Sequence, residues 1–115
     1  MKETDEDYAE RKDFLTAMIM MLDSVKMYIR RYAKLAEEMA AKEEDPKRKQ
    51  ELETMSANCY QIAGGVPQTF WQAIQLFNLA TTLIQIEGNG HSISYGRMDQ
   101  WLYPFYEKDM KNGTI

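Results

Sequence analysis

Residues 54–86 contain no Asp, Glu, Lys, Arg or His, thirty-three uncharged positions in a row. A folded chain of this size leaves about a third of its unfolded-state surface in water, and an uncharged stretch this long has little with which to meet it. The segment has to be covered by other protein. Of the 32 charged residues, 25 precede residue 54, so the first half of the chain is equipped to face solvent and the second half is not. A length of 115 residues allows one domain at most. The expectation is a fragment, residues 1–115, of a single larger domain.

Charge removes several function classes. A net charge of -4 and a pI near 5.0 do not suit a general nucleic-acid binder, which needs clustered Lys and Arg. The tract Lys47-Arg48-Lys49 is flanked by Asp45 and Glu51 and reads as a solvated helix face. Residues 69–86 compete as a membrane span, but they carry seven polar side chains in eighteen positions, each costly in hydrocarbon when unsatisfied. A helix wrapped by protein, its amides bonded to neighbours, is the reading, and no membrane partner is expected. A single cysteine cannot form an internal disulfide, and no leader pattern is visible, so the expected location is the cytoplasm. One His and one Cys thirty-two residues apart are too few for a metal site.

The periodicity is mainly helical. Residues 8–42 lack Gly and Pro, and Phe14, Met18, Met21, Val25, Tyr28, Tyr32, Leu35 and Met39 recur at three- and four-residue steps, the spacing of one long helix. Its early part, residues 14–22, is apolar nearly all round, which predicts burial on several sides. Nine methionines at such spacing are flexible core filler rather than a metal or promiscuous binding surface. Asp45-Pro46 supplies an N-cap and a favoured first position for a second helix, residues 45–63, ending at Gly64-Gly65. Cys59 lies on its inward stripe with no charged neighbour, as a structural thiol does. Thr69 caps a third, buried helix over 69–86. An aromatic helix over 99–110 follows, interrupted or begun at Pro104.

Between the last two helices lies Glu-Gly-Asn-Gly-His-Ser-Ile-Ser-Tyr-Gly-Arg-Met-Asp-Gln, residues 87–100, which holds the chain's only histidine. Residues 87–98 form a loop or short strand, with Gly88, Asn89, Gly90 and Gly96 shaping the backbone. A hydrolytic triad drawn from Ser92 or Ser94, His91 and Glu87 or Asp99 is poorly served by adjacent residues, and no nucleophile elbow is present. Gly88-Asn89-Gly90 lacks the residues that complete a phosphate loop. What remains is a polar binding surface: His91 and Ser92 offer donors and acceptors to an alcohol or carboxylate, while a satisfied structural histidine is the plainer alternative. Arg97 and Asp99 read as a loop-fixing ion pair.

The run Ile84-Gln85-Ile86-Glu87-Gly88-Asn89-Gly90-His91-Ser92-Ile93-Ser94-Tyr95-Gly96-Arg97-Met98-Asp99-Gln100, followed by Tyr103-Pro104-Phe105-Tyr106, resembles the glycyl radical enzymes of the pyruvate formate-lyase-like superfamily. Lys12-Asp13-Phe14, Arg31-Tyr32-Ala33, Asp45-Pro46-Lys47-Arg48 and Thr69-Phe70-Trp71-Gln72-Ala73 match it in order, so the likeness covers essentially the whole chain. The resemblance implies a parent built on a ten-stranded β/α barrel, in which a radical on a glycine passes to a cysteine thiyl that abstracts hydrogen from substrate. Neither the cysteine loop nor the radical glycine is in these residues, so the segment alone is expected to be inert.

Asn89-Gly90-His91-Ser92 is similar to the glycerol and diol dehydratase and choline trimethylamine-lyase branch rather than to the small-residue loop of pyruvate formate-lyase itself. The resemblance therefore implies radical C–O or C–N cleavage, with His91 and Ser92 bonding substrate hydroxyls and no catalytic residue in the segment. A formate acetyltransferase-like C–C lyase is the alternative subtype. It further implies no cofactor bound here, a glycyl radical installed by a radical S-adenosylmethionine activating enzyme, and a homodimeric parent in the cytoplasm, with a bacterial microcompartment as the variant location. A non-enzymatic helical interaction module, or truncated paralogue, is the reading from another class.

Overall fold

The computed structural model describes residues 7–115. Four helices make up the architecture, and no strand occurs among the described residues. Helix α1, Tyr8–Ala40, turns through residues 41–45 into α2, Pro46–Gly64. The entry to α2 is built by two carboxylates. Glu43 Oε1 accepts the backbone N–H groups of Glu44 and Asp45, and Asp45 in turn accepts those of Lys47 and Arg48. Pro46 sits where its missing N–H goes unneeded.

The α1–α2 hairpin carries the core: Ile29, Ala33, Cys59, Ile62 and Ala63, joined by Leu79 from α3. Ala33 and Ala63 are small enough to bring the two helices close, and Ser56 Oγ donates to the Ala33 carbonyl at 2.8 Å across the seam. A buried hydroxyl is thereby satisfied. Pocketed between α1, α2 and α3 is an apolar groove of about 470 Å³ lined by Leu35, Met39, Leu52, Met55, Trp71 and Ile74, among others.

Helix α1 has 33 residues and α2 has 19, so at 1.5 Å per residue α1 is about 50 Å long and α2 covers only about 28 Å of it. The first half of α1 therefore overhangs. Phe14 is 65% exposed and Met20 66%, and Leu15, Met18, Ile19, Met21 and Leu22 are exposed with them. The burial expected for residues 14–22 is not supplied by these residues, because no other helix reaches them.

Helix α3, Phe70–Glu87, is capped by the Thr69 hydroxyl, which accepts the Gln72 N–H at 3.2 Å. Its amides turn toward α2: Gln72 Nε2 donates to Asn58 Oδ1, and Gln75 Nε2 to the Met55 carbonyl and Cys59 Sγ. Only Ala73 and Leu79 of α3 are fully buried, and Trp71, Ile74, Ile84 and Ile86 stay exposed. One face of α3 is covered and the other is open.

Helix α4, Met98–Asn112, runs straight through Pro104 and neither starts nor breaks there. A proline removes one helical hydrogen bond and strains the preceding turn, but α4 is fastened to α3 on both sides of it. The Trp101 ring lies 5.3 Å from Phe77, and Tyr106 meets Phe70 edge-on at 5.6 Å. Asp109, 3% exposed, accepts the Phe70 N–H at 2.7 Å, closing the start of α3 with a carboxylate from another helix.

Candidate substrate-binding loop

The segment joining α3 to α4 is where the sequence concentrates its polar and glycine residues, and each end is locked by backbone chemistry. At the end of α3, Gly88 N–H bonds to the Ile84 carbonyl, Asn89 N–H to Ile86 and Gly90 N–H to Gln85. The last two bonds form a Schellman closure, which needs a left-handed residue at its turn. Asn89 supplies it with φ 51°, and Gly90 follows at φ 73°. Asparagine tolerates that region because its short amide costs little there.

His91 N–H then bonds to the Gly88 carbonyl, and residues 92–97 run without regular structure. The stretch considered as a short strand is loop, since a strand needs a neighbour for its backbone ladder and none lies beside it among the described residues. Gly96, at φ 63°, turns the chain into α4. Arg97 grips Asp99 in a two-bond fork, Nε to Oδ1 at 3.0 Å and one terminal nitrogen to Oδ2 at 2.7 Å. The fork holds the Asp99 carboxyl below its usual range and raises Arg97, each chiefly through that hydrogen bonding. Both side chains are well exposed, so the pair shapes the turn more than it stabilises the fold.

The middle of the loop is held by aromatic rings. Tyr95 stands edge-on to Phe77 of α3 at 4.8 Å, and its carbonyl receives the Trp101 indole N–H at 3.4 Å. Nothing in the sequence marks Phe77, Tyr95 and Trp101 as a unit; the one available signal is the pair of aromatics six residues apart that flank Gly96. His91, Ser92 and Ser94 are exposed, and among the described residues neither the imidazole nor the two hydroxyls has a hydrogen-bond partner. Residues expected to act and residues expected to shape the loop thus occupy one segment, the first group free and the second engaged.

Elsewhere the chemistry is sparse. Cys59 is buried, and burial pushes its thiol pKa up while the Gln75 N–H pulls it down by less. Among the described residues no group of three or more His, Cys, Asp or Glu side chains could hold a metal ion, and no helix is long and apolar enough to cross a membrane.

A helical hairpin leading into a locked, polar loop belongs to a known class. Residues 1–115 match the family of pyruvate formate lyase-like proteins from end to end, and the chain belongs to that family. All 115 residues align at 70% identity with (2S)-3-sulfopropanediol dehydratase from Klebsiella oxytoca, covering 14% of that protein. Two solved structures share the fold. One concerns 1,2-propanediol dehydration in Roseburia inulinivorans, with a TM-score of 0.93 at 43% identity, over 100% of this chain and 14% of that one. The other is the glycerol-bound, B12-independent glycerol dehydratase of Clostridium butyricum, at 0.86 and 40%, over 92% of this chain and 14% of that one. The relatives are glycyl radical dehydratases and lyases, which use a protein radical, and their full-length fold is a β/α barrel. This chain spans about 14% of the curated relative's length.

Proposed function

We propose that these residues are the substrate-loop segment of a longer glycyl radical dehydratase that removes a C–O-bonded group from a small hydroxylated compound, with (2S)-3-sulfopropanediol the first candidate. The observation that carries the reading is the placement of His91 and Ser92 side by side at the head of a loop that this segment's own backbone bonds and the Arg97–Asp99 fork lock at its ends. An imidazole and a hydroxyl side by side can donate to and accept from two vicinal alcohols. The likeness to the sulfopropanediol dehydratase supports the substrate class.

In such an enzyme the protein radical, housed outside this segment, supplies hydrogen-atom abstraction. His91 and Ser92 hold the substrate hydroxyls so that the reacting carbon meets it in a fixed orientation, and orientation of that kind is a large share of catalysis. The activating partner belongs to the radical S-adenosylmethionine class, and the parent works as a cytoplasmic homodimer.

The test is His91→Ala in the full-length protein, assayed with (2S)-3-sulfopropanediol and with glycerol. Losing a hydrogen bond inside a water-excluded site costs about 1–3 kcal/mol, or roughly ten- to hundredfold in kcat/KM. The melting temperature should change far less than kcat/KM, because the partner proposed for His91 is the substrate and not the protein. Wild-type kinetics in this variant would overturn the substrate role.

A further inference from the structure

Between Gly90 and Gly96 the loop meets the helices through Tyr95, and Ile93 is half-buried. Its hydroxyls and imidazole bond to nothing among the described residues, so the position of His91 and Ser92 depends on what fixes the backbone around them. Upstream, the Schellman closure does so as far as His91 N–H. Downstream, Tyr95 is fixed twice, by its ring against Phe77 at 4.8 Å and by its carbonyl on the Trp101 indole N–H at 3.4 Å. Trp101 in turn leans on the same Phe77 at 5.3 Å. One ring on α3 therefore seats both the loop and the first turn of α4.

Resting on the substrate reading above, we propose that Phe77 and Trp101 are positioning residues: the three-ring clasp with Tyr95 sets where His91 and Ser92 meet the substrate. Ser92 lies one residue past the His91 N–H that the upstream closure holds and three before Tyr95, so releasing Tyr95 leaves the hydroxyl on a chain tethered at one end only. A misplacement of about 1 Å can already cost roughly a hundredfold in rate. Trp101 does two jobs that substitutions separate. Trp101→Phe keeps a ring on Phe77 and loses the N–H, whereas Trp101→Leu loses both.

The experiment is a double-mutant cycle in the full-length enzyme, with radical content measured by electron paramagnetic resonance. Its substrate is (2S)-3-sulfopropanediol, or glycerol where the wild type turns that over instead. Trp101→Leu should lower kcat/KM about ten- to hundredfold at unchanged radical content, and Trp101→Phe should recover part of the loss. In a His91→Ala background the same Trp101→Leu change should have little further effect, because residues acting through one another are non-additive. An undiminished effect in that background would make Trp101 merely structural and overturn the proposal. So would wild-type kinetics in Trp101→Leu alongside an impaired His91→Ala. Wild-type kinetics in His91→Ala itself would remove the substrate role and the clasp's role together, which distinguishes the two failures.

Discussion

Asp109 and Cys59 show how differently two buried residues are written into a chain. Asp109 accepts the Phe70 N–H from thirty-nine residues away, at the helix end where a negative charge is favoured. Removing it leaves a covered N–H unpaired, so Asp109→Ala should cost about 1.5–3 kcal/mol, and Asp109→Asn, which keeps an acceptor, less. Denaturant unfolding of the full-length protein measures both. Equal stability of Asp109→Ala and wild type would show that Phe70 finds another acceptor. Nothing beside Asp109 in the sequence announces this role, since its partner is distant and its neighbours Lys108 and Met110 are ordinary helix residues. Cys59 is the opposite case: its place on an inward stripe and the absence of nearby charge mark it as structural. Its thiol, raised by burial, should resist thiol-specific reagents at neutral pH until the protein is unfolded; rapid labelling of the native protein would contradict that.

For the helices, periodicity and caps carry most of the information. Asp45-Pro46, Thr69 and the glycine pair at 64 and 65 all sit where α2 and α3 begin or end, because capping is local chemistry that a short window contains. Two features escaped that window. Pro104 reads as a boundary, yet α4 passes through it because Trp101, Tyr106 and Asp109 fasten both sides to α3. Residues 91–95 have a pattern compatible with a strand, but pairing depends on a neighbour, not on the segment. At the hinge between α3 and the loop the sequence offers Gly88, Asn89 and Gly90 as shaping residues, and of these Asn89 and Gly90 stand at positive φ while Gly88 does not. Gly90→Ala, at φ 73°, should cost about 1–2 kcal/mol, whereas Asn89→Gly should be near neutral. Thermal melts of the two variants that came out in the reverse order would show that the closure is held by something other than backbone preference.

At the scale of the whole molecule, shape and surface composition agree. The radius of gyration is 18.0 Å, against about 13 Å for a compact domain of this length, and the longest dimension is 60 Å, the scale set by α1 at about 50 Å. The excess is the overhanging half of α1, where consecutive residues Ile19, Met20, Met21 and Leu22 are all exposed. Steps of 100° place those four side chains all round the helix, so no rotation of α1 hides them and only cover from several sides would. The open face of α3 adds Trp71, Ile74, Ile84 and Ile86. Apolar patches of this extent drive association in water. Produced alone, the 115-residue chain should therefore bind a hydrophobic dye and sediment as oligomers. Polar substitutions at Phe14 and Ile19, which touch no member of the α1–α2 core, should reduce both signals while leaving helix content unchanged. A monomeric wild-type chain that excludes the dye would mean that the overhang folds back onto the hairpin.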